Sequence, residues 1–278
     1  MVESPSPSSS SFERVARAYD LLVNEEARWN RERAFHEYWM REAANARGGK
    51  PVRLLDLGCG TGFHARHIAE LPGVDFVVGA DPSRAMLKVA KNKEGGDLVK
   101  RWVCANAEDF SGLQDESFDL VILLGNTLSL IPEIRPVFDA VARVSHASAI
   151  FIVQMLDYDQ MRDEGGSAQP RIAERSDDVV SIRKTLRLVD RDNGGSKRST
   201  GSAKVGEIDF VIREVQTQRA IGRDHFDLHE HTEAEMRKSA AAAGWEVVGV
   251  QSDFRVPTQS GEMTMSVGAD RVYILRRH

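Results

Sequence analysis

Leu54-Leu55-Asp56-Leu57-Gly58-Cys59-Gly60-Thr61-Gly62-Phe63-His64 is the stretch that decides the fold of this 278-residue chain. A short apolar run delivers an acid into a turn with glycine at every second position, and apolar residues at helical spacing follow. Glycine lets a backbone turn sharply and approach a ligand closely, and the N-terminus of a helix offers unpaired N–H groups. The stretch therefore predicts a strand–turn–helix unit that binds a nucleotide-type cofactor.

The spacing of the glycines narrows the choice of cofactor. Dinucleotide sites usually read G-x-G-x-x-G, whereas this turn reads D-x-G-x-G-x-G from Asp56 to Gly62. This pattern resembles motif I of the class I S-adenosylmethionine (SAM) dependent methyltransferases. The resemblance implies SAM as cofactor, bound by Asp56, Gly58, Gly60 and Gly62. A purely structural turn is the alternative.

A second acid follows at the distance that such a site requires. The apolar run from Phe76 to Ala80 ends in Asp81, roughly 20 residues past the glycine turn. We expect Asp81 to end the second strand and to accept hydrogen bonds from the ribose hydroxyls of the cofactor. A helix cap is the alternative role, because Pro82 and Ser83 begin a helical pattern.

A third segment, Trp102 to Phe110, resembles the strand and acid–Ala pair that hold the adenine amino group in these enzymes. Asn106 stands in place of the acid, followed by Ala107. Its amide oxygen can still accept from an exocyclic amine, although it carries no charge. Glu108 and Asp109 could substitute for it or begin the next helix.

Two later apolar runs end in polar residues at the same predicted edge of the sheet. Residues 118–124 lead into Gly125-Asn126-Thr127, and residues 150–156 lead into Asp157 and Tyr158. Open α/β sheets bind ligands at the carboxyl ends of their strands. Here the chain resembles the glycine/sarcosine-type N-methyltransferases. Its place at this edge makes Asn126 the best candidate for a contact of both cofactor and acceptor, with Asp157 and Tyr158 positioning the acceptor; a simple turn role for Asn126 stays open.

These segments together predict an α/β fold: a Rossmann-like seven-stranded methyltransferase sheet with an N-terminal helical cap and a small antiparallel β insertion. Three partly alternating segments, 179–189, 207–217 and 225–232, predict three strands in that insertion. The expected parts are a disordered leader (1–11), the cap (12–50), the SAM-binding core (51–160), the insertion (161–231) and the C-terminal part of the sheet (232–278).

The predicted cap and insertion offer weaker candidates. Most cap aromatics read as a core-facing stripe, but Tyr19 and Arg33 resemble the cofactor-facing side of such a cap. In the insertion, arginines could hold an acceptor carboxylate, although a solvated face is favoured; these are Arg183, Arg187 and Arg213. His225, Asp227, His229 and His231 share one strand face, yet residues two apart lie roughly 6–7 Å apart, so we expect no metal site.

Composition excludes several classes of protein. The net charge is −5 without a basic block, which disfavours nucleic-acid binding. No run approaches the roughly 18 apolar residues of a membrane helix, so no membrane partner is expected. Cys59 and Cys104 lack metal-ligand spacing and favour a reduced, cytoplasmic setting. The composition is also compatible with a homo-oligomer.

The sequence thus predicts a SAM-dependent methyltransferase that acts on a small-molecule acceptor. An amine is favoured, because a nitrogen needs only to be the free base, whereas a hydroxyl needs a base or a metal. The alternatives are a non-catalytic SAM-binding sensor or partner module, and a protein or RNA methyltransferase. A nicotinamide-dependent oxidoreductase is disfavoured by the glycine spacing.

Overall fold

A computed structural model describes residues 12–109, 113, 117–164, 169–189, 203–256 and 270–278. The predicted leader, residues 1–11, lies outside these ranges. The seven strands of the main sheet are β1 Val52–Leu57, β2 Val74–Asp81, β3 Val99–Cys104, β4 Phe118–Leu123, β5 Ser145–Leu156, β10 Trp245–Ser252 and β11 Asp270–Arg277. The helices are α1 Ala16–Tyr19, α2 Glu25–Ala46, α3 Phe63–Ala69, α4 Arg84–Lys91, α5 Arg135–Val144, α6 Tyr158–Asp163 and α7 Glu233–Ala242.

The main sheet has the strand order β10-β11-β5-β4-β1-β2-β3, which confirms the predicted seven-stranded α/β sheet. Strands β1 to β5 are paired in parallel, while β11 runs antiparallel to both β5 and β10. The order places β1 between β2 and β4, so the ends of these three strands are neighbours. The segments that carry the predicted site therefore meet at one edge of the sheet.

Helices cover both faces of this sheet, which explains its nearly continuous apolar strands. Successive residues of β1 enter different cores: Leu55 lies in the core beneath α5 and α7, and Leu54 in the core beneath α2 and α3. All six residues of β4 are buried for the same reason. The helix α2 is 22 residues long and is capped at its N-terminus by Asn24, whose side chain accepts from the Ala27 N–H.

A separate antiparallel sheet forms the insertion, with four strands where the sequence predicted three. They are β6 Arg171–Ser176, β7 Val180–Leu188, β8 Ala203–Glu214 and β9 Ala220–Glu230. The missed strand is β6, which is exposed along its whole length and pairs only with β7. An exposed edge strand needs no alternating apolar residues, so its sequence carries no strand pattern.

The inner face of the inserted sheet forms a third core with the start of the chain. Phe12 stacks on Phe226 at a centroid distance of 4.2 Å and contacts Phe210 edge-on. Asp224 accepts hydrogen bonds from the N–H groups of Arg14 and Val15. The cap and the insertion therefore hold each other over the carboxyl edge of the main sheet. Among the described helices, none has the length and apolar character to cross a membrane.

Candidate cofactor and acceptor site

The glycine turn after β1 is shaped by close neighbours. Gly58 and Gly62 have φ angles of 68° and 81°. A Cβ would lie 2.6 Å from a Thr127 carbon at Gly58 and 2.5 Å from the Trp102 ring at Gly62. At Gly60, by contrast, a Cβ would meet no protein atom within 4 Å, and this residue lines a cavity. The turn therefore leaves space for a ligand beside the Gly60 backbone.

The two predicted acids fix the backbone on either side of this turn. Asp56 is buried, and its Oδ2 accepts from the Ala65 N–H at 3.0 Å, in the first turn of α3. Burial raises the pKa of Asp56 to about 7. Asp81 accepts from the Gly60 N–H through Oδ2 and from the Ser83 N–H through Oδ1, both at 2.8 Å. Each Asp81 oxygen keeps a further acceptor site, so a ligand hydroxyl can still bind.

The cavity beside the turn measures about 360 Å³, which is within the usual range for small-molecule sites. It brings together most of the predicted cofactor residues. Those that line it are Tyr19, Asp56, Gly58, Gly60, Asp81, Asn106 and Ala107. Gly62 lies behind the turn against Trp102 and does not line the cavity.

Arg33 is placed away from this cavity. Its side chain is 59% exposed on α2 and pairs with Glu37 at 2.7 Å. The structure therefore gives no contact for the predicted cofactor role of Arg33, because the residue lies on the solvent side of the helix. Tyr19, the other cap candidate, does reach the cavity, and burial raises its pKa.

Charged contacts fasten the cap beside the cavity. Thr61 in the glycine turn donates to Asp20 at 2.5 Å, and Lys93 pairs with both Asp20 and Glu25 at 2.9 Å. Arg66 of α3 also pairs with Glu25, at 3.0 Å. These contacts join the cap to the turn and to the helices behind it, so any motion that opens this side of the cavity must break them.

A buried polar cluster joins α2 to α3 behind the cavity. Glu32 is fully buried; its Oε2 lies 2.9 Å from His64 Nε2 and 3.8 Å from His36 Nε2. Its Oε1 accepts from Arg28 at 3.1 Å and from Arg31 at 2.7 Å. Burial and the nearby Arg28 lower the pKa of His64 to about 3, so its imidazole is neutral at physiological pH. Glu32, His36 and His64 lie close enough together to hold a metal ion. The guanidinium groups of Arg28 and Arg31, however, already neutralise the Glu32 carboxylate.

A second cavity, of about 600 Å³, adjoins the first. The two share several lining residues: Phe12, Tyr19, Arg28, Gly125 and Leu130. The second cavity has the strand ends as its floor, the cap on one side and the inserted sheet above. Its charged lining residues are Arg28, Arg31, Lys184 and Asp270. We call it the acceptor cavity below.

The three residues predicted to position an acceptor have other partners in the structure. Asn126 lines the acceptor cavity, but its Oδ1 accepts from Ser129 and Leu156 and its Nδ2 donates to the Tyr158 hydroxyl. Tyr158 is buried away from that cavity. Asp157 caps α6 and pairs with Arg271 at 2.6 Å. Their side chains therefore hold the loops at the strand ends rather than pointing free groups at an acceptor.

Four functional candidates were missed by the sequence analysis. Gln154 accepts from the N–H groups of Gly125 and Asn126 and donates to Asp270, so it supports the turn between the cavities. Gln154 and Asp270 are polar residues in apolar strands, a signal that could have found them. Arg28 and Lys184 carried no such signal, because charged residues are common on helices and partly exposed strands.

The arginines and histidines singled out in the insertion differ in their exposure and in their partners. Arg183 and Arg187 are exposed and pair with Glu174 and Asp209. Arg213 donates to the Gln218 carbonyl. His225 is exposed beside Asp209, whereas His231 is buried and its Nε2 lies 2.9 Å from the Ile131 carbonyl oxygen.

Comparisons with known proteins agree with this geometry. Residues 54–147 match a family model described as a methyltransferase domain. The chain is 31% identical over 158 residues to the glycine/sarcosine N-methyltransferase of Aphanothece halophytica, covering 55% of this chain and 57% of the relative. The chain spans between 20% and 57% of the length of the curated relatives it matches.

Solved structures share the fold along nearly the whole chain. An S-adenosylmethionine-dependent methyltransferase from Clostridium acetobutylicum superposes with a TM-score of 0.66 at 16% identity, covering 94% of this chain and 97% of that one. The CcbJ methyltransferase from Streptomyces caelestis gives a TM-score of 0.64 at 18% identity, with 97% and 99% covered.

Residues 54–147 therefore contain a methyltransferase domain, and the chain shares the fold of solved SAM-dependent methyltransferases. The cavity at the glycine turn offers groups that fit SAM: an open backbone at Gly60, the Asp81 carboxylate and the Asn106 amide.

Proposed function

We propose that this protein methylates an amine nitrogen of a small molecule bound in the acceptor cavity. The observation that carries the proposal is the junction of two cavities at Tyr19, Arg28 and Gly125. One cavity has the groups that suit SAM, and the other adjoins it at the strand ends. Two reactants held side by side with water excluded need little further catalysis, because orientation alone can supply most of the acceleration.

In this proposal the cofactor lies along the ends of β1, β2 and β3. Asp81 accepts from the ribose hydroxyls, and the open backbone at Gly60 admits the cofactor beside the turn. Asn106 and Ala107 hold the adenine ring, with Tyr19 of the cap above the cavity. Gly58 and Asp56 shape this cradle through Thr127 and Ala65.

SAM supplies a methyl group on a sulfonium: the nitrogen lone pair forms the new C–N bond as the C–S bond breaks, leaving a thioether and one proton. The protein must therefore hold the amine as its free base and receive that proton. Asp270 lines the acceptor cavity beside Gln154, and burial raises the pKa of its carboxyl. We assign it the role of accepting the proton, while Asn126 keeps the adjoining turn in place.

Two observations support a small amine as acceptor. The acceptor cavity lies beneath the inserted sheet and beside the cap, which suits a small molecule better than a folded macromolecule. A curated relative that aligns with 158 residues of the chain is named as a glycine/sarcosine N-methyltransferase.

The test uses SAM with an isotopic methyl label and a cell extract separated by size. We expect label in the small-molecule fraction, on nitrogen, with mass spectrometry identifying the acceptor. Label on oxygen or carbon would contradict the amine assignment, and label in protein or RNA would contradict the small-molecule assignment.

A non-catalytic SAM-binding module is the second candidate. It is favoured by one observation: the side chains of Asn126, Asp157 and Tyr158 are engaged in internal contacts. Calorimetry that detects SAM binding, together with no labelled product in any fraction, would select this alternative.

A further inference from the structure

Lys184 is a cation on the inner, apolar face of strand β7. In β7 the side chains alternate, so Arg183 and Arg187 are exposed and paired with Glu174 and Asp209. Lys184 points the other way, on the face that carries the buried Ile182 and Leu186. This inner face forms the apolar roof of the acceptor cavity.

The neighbours of Lys184 across the sheet offer it no counter-charge. In the strand register it lies between Ala173 of β6 and the buried Phe210 of β8, and all three line the acceptor cavity. Among the described residues, no partner forms a hydrogen bond or an ion pair with the Lys184 side chain. An ammonium that is removed from water without a partner costs free energy, and an anionic ligand would offset that cost.

The acceptor cavity as a whole carries excess positive charge. Among the residues that the structure describes, three of the four charged lining residues are cations: Arg28, Arg31 and Lys184. The two arginines share the single Glu32 carboxylate, and Arg31 also lies 4.0 Å from Asp270. Burial and the Arg28 charge lower the pKa of Lys184, with Asp270 acting in the opposite direction. An anion between Lys184 and Arg28 would remove this imbalance.

We propose that Lys184 and Arg28 form a subsite for an anionic group, a carboxylate or a phosphate, on the molecule that is methylated. The inference rests on the proposed function and narrows its substrate to amines that also carry an acid. The anionic end lies beneath the inserted sheet at Lys184, and the amine end lies towards Asp270 and the Gly125 turn, where the two cavities meet.

The first test is the chemistry of the labelled product. We expect the product from the extract to carry an acid: carbodiimide coupling to an amine shifts the mass of a carboxylate, and phosphatase treatment removes a phosphate. These two reactions distinguish the two sources of negative charge. A labelled amine that responds to neither and has no acidic group by mass spectrometry would overturn the subsite but leave the methyltransferase assignment intact.

The second test compares variants with that acceptor. Lys184→Met should raise KM on the order of 10- to 100-fold, because it removes a hydrogen bond to a charged group. The affinity for SAM should not change, and the melting temperature should not fall, since an unpaired cation has been removed. Lys184→Arg should restore most of the KM. Arg183→Met, one residue away on the outer face, is the matched control and should match the wild type. An unchanged KM in Lys184→Met would overturn the subsite.

A third measurement does not depend on turnover. With SAM bound, acetate, glycine and inorganic phosphate are titrated at constant ionic strength while the melting temperature is followed. At least one should raise it in the wild type and in Arg183→Met but not in Lys184→Met. That result without any labelled product would overturn methyl transfer alone. Equal responses in the wild type and Lys184→Met would overturn the subsite.

Discussion

At the scale of single residues, Asp81 can both hold the glycine turn and bind a ligand hydroxyl. Its oxygens hold the Gly60 and Ser83 N–H groups and still have acceptor sites that face the cavity. Asp81→Ala should therefore weaken SAM binding by about 1–3 kcal/mol, the usual value of hydrogen bonds to a charged acceptor. Titration calorimetry measures this, with Asp75→Ala, an exposed acid on the same strand, as control. Unchanged affinity would remove Asp81 from the cofactor site.

Asp56 provides a pH-dependent signal of cofactor binding. Its pKa of about 7 leaves the free protein partly protonated there at neutral pH. A ligand with positive charge in the adjoining cavity lowers that pKa, so binding releases a proton and the affinity rises as the pH increases from 6 to 8. Calorimetry in buffers of different ionisation enthalpy should detect the proton. Asp56→Asn should abolish the release, and an equal release in that variant would show that another group titrates.

At the scale of elements, the cap is fastened by an ion-pair network rather than by one strong contact. Lys93 joins Asp20 and Glu25, which lie at the two ends of the loop between α1 and α2. Lys93→Met should speed SAM dissociation by about threefold, since partly exposed pairs contribute up to about 1 kcal/mol each. Stopped-flow displacement measures the rate. Lys91→Met, at the end of α4 and two residues before Lys93, is the control, and higher salt should reduce the difference between Lys93→Met and the wild type.

The elements also show where sequence patterns fail. The strands of the main sheet were predictable because burial on both faces leaves long apolar runs, as in residues 118–124. The edge strand β6 was not, because it is exposed throughout. Within the predicted helical cap, the segment before α2 forms one α-helical turn, Ala16–Tyr19, and a 3-10 turn, Asp20–Leu22, and it packs against the inserted sheet.

At the scale of the whole molecule, the Glu32 cluster couples the cap to the core. The folded-state pKa of His64 is about 3, below its unfolded value of about 6.5, so the unfolded state binds more protons between those values. The pKa of Glu32 is also lowered, because its hydrogen bond to His64 and the nearby Arg28 charge, with His36 close by, outweigh its burial. Both groups therefore lose their stabilising contribution as the pH falls.

His64 alone should lower the free energy of unfolding in urea by about 2 kcal/mol between pH 7 and pH 5. The raised pKa of Asp56 works in the opposite direction over this range and offsets the His64 contribution in the wild type, so the measured quantity is the difference between the wild type and His64→Gln. The free energy of unfolding of the wild type relative to that variant should fall by about 2 kcal/mol from pH 7 to pH 5. Parallel curves for the two proteins would contradict the neutral buried imidazole.

The sequence by itself determined the class of the protein. The D-x-G-x-G-x-G turn and Asp81 at the end of β2 are local features: a strand end, a backbone that needs glycine and an acid one crossover away. Such features depend on residues that are adjacent in the sequence. The sheet, the glycine turn and most of the residues that line the first cavity could therefore be predicted.

The acceptor side was decided only by the tertiary structure. Whether Asn126, Asp157 and Tyr158 face a ligand or each other depends on how β5, β11 and α6 meet, and the structure pairs them with internal partners. Lys184 is one of several cations along β7, and only the packing of the inserted sheet separates it from its exposed neighbours. The physical reason is that the acceptor cavity is assembled from segments as distant in the sequence as Phe12 and Asp270, between which no sequence period exists.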